Sequence, residues 1–196
     1  MIRLGFIAED MSDVGVMREI TGKVLPAGSF GTRHFVGQGC GRLKRKCRVW
    51  AEQLLQKGCT HIVVVHDLDD EIEKDLRHLL ERAMKGVGGK GALILIPIYE
   101  IEAWLLTDGM AIKEVFSLQK EPKIPKNPES ISDPKGSLEE LVWRAQKKRY
   151  INTVHNESIA AAARLSQLEQ CISFRPYPEF LRKALPKKAR AAGSRG

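Results

Sequence analysis

The stretch Ile62-Val63-Val64-Val65-His66-Asp67-Leu68-Asp69-Asp70 constrains this chain more than any other. It opens as a β-branched apolar run and ends in acid. Such a run reads as a strand buried on both faces, the kind found where helices cover a parallel sheet. Residues i and i+2 of an extended chain point the same way, so Asp67 and Asp69 are expected to leave the sheet together, with Asp70 beside them. In open α/β sheets, ligands bind outside the carboxyl ends of the strands. Two readings of the acids stand side by side. They cap the next helix, with Glu71 adding charge at the positive end of its dipole. Or they offer an oxygen-only site to a hard divalent ion, Mg²⁺ or Mn²⁺.

The surrounding pattern supplies a sheet for this strand. Residues 2–8 read as a first strand, and Val14, Met17, Thr21 and Val24 then recur at helical spacing. A second short strand is expected at 33–36. Gly37-Gln38-Gly39-Cys40-Gly41 follows as a flexible turn and a candidate backbone site for phosphate, although no Gly-Lys-Ser/Thr completes a P-loop. Leu43, Cys47, Trp50 and Leu54 mark an amphipathic helix over 42–57, ended by Gly58. Strand three spans 61–66. Ile72, Leu76, Leu79 and Ala83 mark the next helix, and 92–96 is a fourth buried strand stopped by Pro97. A short helix is expected after Tyr99. Four prolines make 118–136 a loop, and helices are expected over 137–149, 156–171 and near 178–185. This alternation predicts an α/β fold, a parallel sheet flanked by helices, with a helical C-terminal part. The expected organisation is a core over 1–117, a helical extension over 118–185, and a basic disordered tail over 186–196.

Composition narrows the function. No apolar run approaches the roughly 18–20 residues of a membrane span, and the N-terminus is too short and too acidic for a secretory signal, so a cytoplasmic protein is expected. The cysteines at 40, 47, 59 and 171 form no C-x-x-C pair, and no H-E-x-x-H occurs, which leaves zinc chemistry without support. Net charge is +8. Basic residues cluster at Arg42, Lys44, Arg45, Lys46 and Arg48, at Lys147, Lys148 and Arg149, and again from Lys183 onward. A basic shell around an acidic centre suits an enzyme acting on phosphodiesters, and the first cluster is the candidate nucleic-acid track. Ordinary solubility charge is the other reading.

If strands one and three are neighbours, Glu9, Asp10 and Asp13 stand beside Asp67, Asp69 and Asp70. Glu100 and Glu102 sit just past strand four. Three acidic clusters would then converge on one edge, which favours metal over cap. The chemistry expected is metal-assisted attack on phosphorus, with a lysine stabilising charge near the phosphate.

Here the motifs carry a resemblance. Ala8-Glu9-Asp10-Met11-Ser12-Asp13 resembles the E-G-x-x-D/E motif after the first strand of Toprim domains, and Asp67-Leu68-Asp69 resembles their D-x-D. The run Tyr99-Glu100-Ile101-Glu102-Ala103-Trp104-Leu105-Leu106 is similar to the signature of a bacterial family related to OLD nucleases. Asp133-Pro134-Lys135 and Cys171-Ile172-Ser173-Phe174-Arg175 resemble its late motifs. The resemblance covers about residues 3–182. It implies a Toprim-like fold and a Mg²⁺- or Mn²⁺-dependent endonuclease acting on DNA or RNA. Such proteins serve as effectors of phage defence beside an ATPase partner of the OLD or ABC type. It implies Glu9 as catalytic acid/base and metal ligand. It implies Asp13, Asp67, Asp69 and Glu102, with Glu100 as a further match to the third acidic motif, as the remaining ligands, and Lys135 as the group beside the phosphate; Asp70 joins the expected ligands from its place next to Asp69. One departure stands out. Asp10 occupies the place of the family's Gly, and no Gly follows the D-x-D, so Asp10 is expected either as an extra ligand or as the mark of a damaged site. Two other classes remain in view: a catalytically silent nucleic-acid-binding or scaffold subunit, and a receiver-like signalling domain. The latter predicts a Lys after a fifth strand, which the sequence does not offer.

Overall fold

The computed structural model describes residues 1–37 and 39–185. Four strands, β1 (Ile2–Ala8), β2 (Phe30–Val36), β3 (His61–Val65) and β4 (Gly91–Leu95), form one sheet in the order β2-β1-β3-β4. All neighbours are parallel, with Leu4 opposite His61 and Ile7 opposite Val64. Helices α1 (Met11–Val24), α2 (Cys40–Gln56) and α3 (Glu73–Met84) make the crossovers. Parallel pairing puts every strand's carboxyl end on one edge. The chain steps outward from β1 to β2, then returns to place β3 on the other side of β1. The order reverses between β1 and β3, and that switch point is where such sheets hold ligands. The fold class expected from the sequence is the one observed.

The pleat explains the apolar runs. Leu4, Phe6, Ala8, Val63 and Val65 face one core cluster, together with Val14, Met17 and Ile20 of α1. Ile7, Ile62 and Val64 face the other, together with Leu43, Cys47 and Leu54 of α2 and Leu76 and Leu80 of α3. Burying each such side chain stabilises the fold by about 1.5–3 kcal/mol. Gly5 lets α2 settle on β1, since a Cβ there would stand 2.9 Å from Ile62 Cδ1 and 3.0 Å from Leu54 Cδ1.

After β4 come α4 (Glu102–Leu105), α5 (Gly109–Phe116), a 3₁₀ turn (Pro128–Ser130), α6 (Pro134–Gln146), α7 (Asn152–Ala162), α8 (Leu165–Leu168) and α9 (Pro176–Ala184). Leu138, Val142, Ile159, Phe174, Tyr177 and Leu181 from this part pack in the same cluster as Leu4 and Phe6. Several expectations need correction. Helix α5 forms where the sequence predicts none, with Asp108 as its N-cap accepting from the Met110 and Ala111 N–H groups. Pro134 opens a helix rather than closing a loop, because a proline at N1 lacks only an N–H that would be unpaired there. The expected helix over 156–171 is two. It breaks at Ala163 (ψ 142°) and Arg164, whose N–H and guanidinium both bind Asp108. Strand two starts at Phe30, not 33. The tail 186–196, expected to be disordered, lies outside the described residues, as does Gln38 of the glycine-rich turn. No described helix is long and apolar enough to cross a membrane.

Candidate functional site

The site begins where β3 ends. Alternation along the strand sends Val63, Val65 and Asp67 toward α1, and Ile62, Val64 and His66 toward α2 and α3. Asp67 is mostly buried, and its Oδ1 is sealed from solvent with no hydrogen-bond partner. Its pKa is raised well above the usual carboxylate value, by burial first and then by Asp13, Glu102, Glu9 and Asp69. A buried acceptor left unpaired costs about 1–3 kcal/mol, and more if it is charged. The expectation that Asp67 and Asp69 leave together does not hold. The strand stops at Val65, and Asp69 turns into the left-handed region (φ 48°) and is exposed, as is Asp70. Asp is among the few residues besides Gly that tolerate that conformation, so no Gly is needed here. The turn is pinned to the loop after β4, where Leu68 N–H donates to Pro97 O and Asp69 N–H to Tyr99 O. Tyr99 is itself left-handed (φ 62°). The cap reading also fails for these acids. Helix α3 starts at Glu73, and its N-cap, Ile72, makes no side-chain cap bond.

Across the switch point stands β1. Glu9 Oε1 accepts from Asp67 N–H at 3.1 Å and lies 3.1 Å from His66 Nδ1, which is also 2.7 Å from Asp67 O. One Glu9 oxygen is thus held from β3. Burial, then Asp69, pushes the Glu9 pKa up to about 7, against the Asp67 N–H and Lys44, which work to lower it. His66 is fully buried and its pKa is lowered, by burial first. Its Nε2 is unpaired. Asp10 is not a strained stand-in for Gly. Its backbone is extended (φ −142°, ψ −176°), which any residue adopts, and it is the N-cap of α1, accepting from Ser12 N–H and Asp13 N–H. Asp13 completes the capping box through Oδ2, which takes the N–H groups of Glu9 and Asp10. Asp13 is buried, and burial followed by Asp10 pushes its pKa up to about 8.

The third corner comes from β4 and the C-terminal helices. Glu102, first residue of α4, is buried. Its Oε1 lies 3.0 Å from the Tyr150 hydroxyl and accepts from Asn156 Nδ2 at 3.1 Å. Neither Tyr150 nor Asn156 stands out in the sequence. Their only signal is a pair of polar groups in a segment that must close over a buried acid. Glu100 Oε2 accepts from the Lys135 backbone N–H at 3.0 Å. Burial raises the Glu100 pKa, partly offset by that N–H and by the Lys135 charge. Lys135 itself is exposed beside the Glu100 corner.

Glu9, Asp13, Asp67 and Glu102 are therefore gathered at one strand edge, with Asp69 at its rim and Asp70 in solvent. They are not closed into a ligand set. Among the described residues, no group of three or more His, Cys, Asp or Glu is arranged to hold a metal ion as the side chains now lie. The donor chemistry still fits a hard cation. The acids around the unpartnered Asp67 Oδ1 offer oxygen alone, and the strongest charges acting on Asp67, those of Asp13, Glu102, Glu9 and Asp69, are negative. The proposed track on α2 is mixed. Lys44 pairs with Glu71 at the rim of the acidic edge. Arg48 donates to Glu52 Oε1 and Lys85 O, and the Arg42 guanidinium lies 5.9 Å from the centre of the Trp50 ring. Arg45 and Lys46 are exposed.

Residues 16–182 match a family described as a domain of unknown function (DUF4276). The chain belongs to that family. The matched span of DUF4276 takes in Asp67, Glu102, Tyr150 and Asn156, while Glu9 and Asp13 lie just before it. Comparison with curated proteins and with solved structures gives no match.

Proposed function

We propose that this chain is a cytoplasmic, Mg²⁺- or Mn²⁺-dependent endonuclease that hydrolyses phosphodiester bonds of DNA or RNA. It serves as the effector of a phage-defence system beside an OLD- or ABC-type ATPase. One observation carries the catalytic part of this reading. Asp67 Oδ1 is buried without a partner, at the sheet's switch point, within the influence of Glu9, Asp13 and Glu102. A fold that leaves a carboxylate oxygen unpaired among like charges is stabilised by a cation there. The Toprim-like order of the motifs supports the substrate class, and the motifs of the OLD-related family support the partner.

Asp67 and Glu102 would hold the ion, with Asp13 and Glu9 beside them. A bound divalent ion supplies Lewis-acid activation of the phosphodiester. The chain's own residues do the rest. The Asp67 N–H and His66 fix Glu9 Oε1, which leaves the other oxygen to take a proton from the attacking water. Lys135, exposed on the Glu100 side, would stabilise the charge on the phosphate with its ammonium. Arg45 and Lys46 hold the flanking backbone. The test is incubation of the purified protein, with and without a neighbouring ATPase, on plasmid and on tRNA, in Mn²⁺, Mg²⁺ or chelator. Metal-dependent cleavage that Asp67→Ala removes is expected. Cleavage by the variant at the wild-type rate would overturn the assignment, and no cleavage under any condition would leave the scaffold reading in its place.

A further inference from the structure

The buried polar groups around the acidic edge divide into those that carry charge and those that do not. Tyr150 and Asn156 are the neutral ones at the Glu102 corner. Both are buried, Tyr150 at 5% and Asn156 at 0% exposure. The Tyr150 hydroxyl lies within hydrogen-bond distance of both Glu102 Oε1 and Asn156 Oδ1, and Asn156 Nδ2 donates to the same Glu102 oxygen. The three groups close a triangle. Asn156 turns its carbonyl toward Tyr150 and its amide toward Glu102, and the single Tyr150 proton is shared between Asn156 Oδ1 and Glu102 Oε1. Both contacts fall on Oε1, which leaves Oε2 as the oxygen available to a ligand.

The triangle is held from outside the sheet. Tyr150 lies between α6 and α7, its ring centre 6.0 Å from that of His155, which packs 4.7 Å from Phe116. Asn156 sits on α7, and α7 packs on α1, the helix that carries Asp13. That approach depends on Gly15, two residues beyond Asp13, where a Cβ would stand 3.0 Å from Glu157 Cβ. A single helix thus fixes the distance between two corners of the site.

The geometry points to Tyr150 and Asn156 as positioning residues for a divalent cation: they orient the Glu102 carboxylate so that the C-terminal helices complete the metal site. This rests on the metal reading of the acidic edge. Neutral donors suit the task, because they fix a carboxylate without neutralising it, as a lysine or arginine would. Partners that hold a metal ligand commonly change affinity by about 10–100-fold when removed.

Mn²⁺ titration of the full-length, metal-free protein, followed by electron paramagnetic resonance of free Mn²⁺, tests this without activity. Tyr150→Phe keeps the ring and removes the hydroxyl, and Asn156→Ala removes the second donor. Each is expected to weaken Mn²⁺ binding about 10–100-fold, in the same direction as Glu102→Gln. Tyr177→Phe is the control. Its hydroxyl is equally buried and bonded to Thr21 Oγ1 and Met17 O, away from the acids. It is expected to lower the melting temperature while leaving Mn²⁺ affinity unchanged. Wild-type affinity in folded Tyr150→Phe or Asn156→Ala overturns the inference, as does an equal loss in Tyr177→Phe. If Glu102→Gln weakens binding and those two variants do not, the metal reading stands and the positioning role falls. If the wild type binds no Mn²⁺, both fall.

Discussion

Asp67 and Asp108 are both shielded carboxylates at the ends of regular elements, and the fold treats them in opposite ways. Asp108 is given every partner it can use. It caps α5 through the Met110 and Ala111 N–H groups and takes three bonds from Arg164, one from its backbone and two from its guanidinium. Burial works to raise its pKa, but those bonds outweigh it and hold the value down at about 2. Asp67 has an enclosed oxygen with no partner and acids for neighbours, and its pKa is driven up. A carboxylate there for the fold alone would be matched, as Asp108 is. A shielded acid left unmatched at a switch point must take up a proton or meet a cation, and the proposed function rests on the second.

The largest expected effect separates the two acids by activity. Asp67→Asn should lower metal-dependent cleavage by about a thousandfold or more, in the range of losses from removing an essential group. It should leave thermal stability unchanged or higher, since it removes a buried like charge. Asp108→Ala should do the reverse, keeping activity per folded molecule while losing stability, about 1 kcal/mol of it from the helix cap alone. Urea unfolding of both variants beside a cleavage assay reads this, and a large stability loss in Asp67→Asn would break the comparison.

Next comes pH, where the two regions should move stability in opposite directions. Glu9 and Asp13 are raised from ordinary values of 4.5 and 3.8 to about 7 and about 8. Between those limits the metal-free folded chain binds protons that the unfolded chain has released, so its stability should fall as pH rises from about 4 to about 8. Added Mg²⁺ should flatten that slope. Asp108 has a lowered value, so its contribution is complete above about 4 and is lost as pH falls toward about 2. Melting temperature against pH, with Mg²⁺ and with chelator, shows both limbs. A chelator-treated protein that grows more stable up to pH 8 would contradict the acidic-edge assignment.

The smallest effect sharpens the structural side. Glu129, like Asp108, is fully used, accepting from Ile172 N–H, Ser173 N–H and the Ser173 hydroxyl, which in turn accepts from Trp104 Nε1. Glu129→Gln keeps the shape and weakens charge-assisted bonds, so a loss of about 1 kcal/mol is expected in urea unfolding, with Mn²⁺ affinity intact. The arrangement also accounts for two runs that stand out in the sequence. Trp104 and Ser173 meet, so one part of the Glu-Ile-Glu-Ala-Trp signature places a buried acid at the strand edge and another part is a fastening.

Local sequence pattern was enough to place the sheet. The run Ile62–Val65 is a strand covered on both faces, as read, whereas Ala92–Ile96, expected to be equally buried, forms the half-covered edge strand β4; the crossovers between the strands bring Glu9, Asp67 and Glu102 to one edge. These are short-range signals, written in periodicity and in the residues that end each strand. Tertiary structure decided what each acid does. The letters of Asp10, Asp13, Asp67 and Asp108 are identical. Asp10 and Asp13 close a capping box, Asp108 is saturated by Arg164 from 56 residues away, and Asp67 is left unpaired. Tyr150 and Asn156 reach Glu102 across 48 and 54 residues. The break of the expected 156–171 helix at Arg164 has the same origin, a partner far away in the chain. A carboxylate's role is set by the donors and charges within a few ångströms of it. Those neighbours are chosen by packing between helices, which no local pattern records.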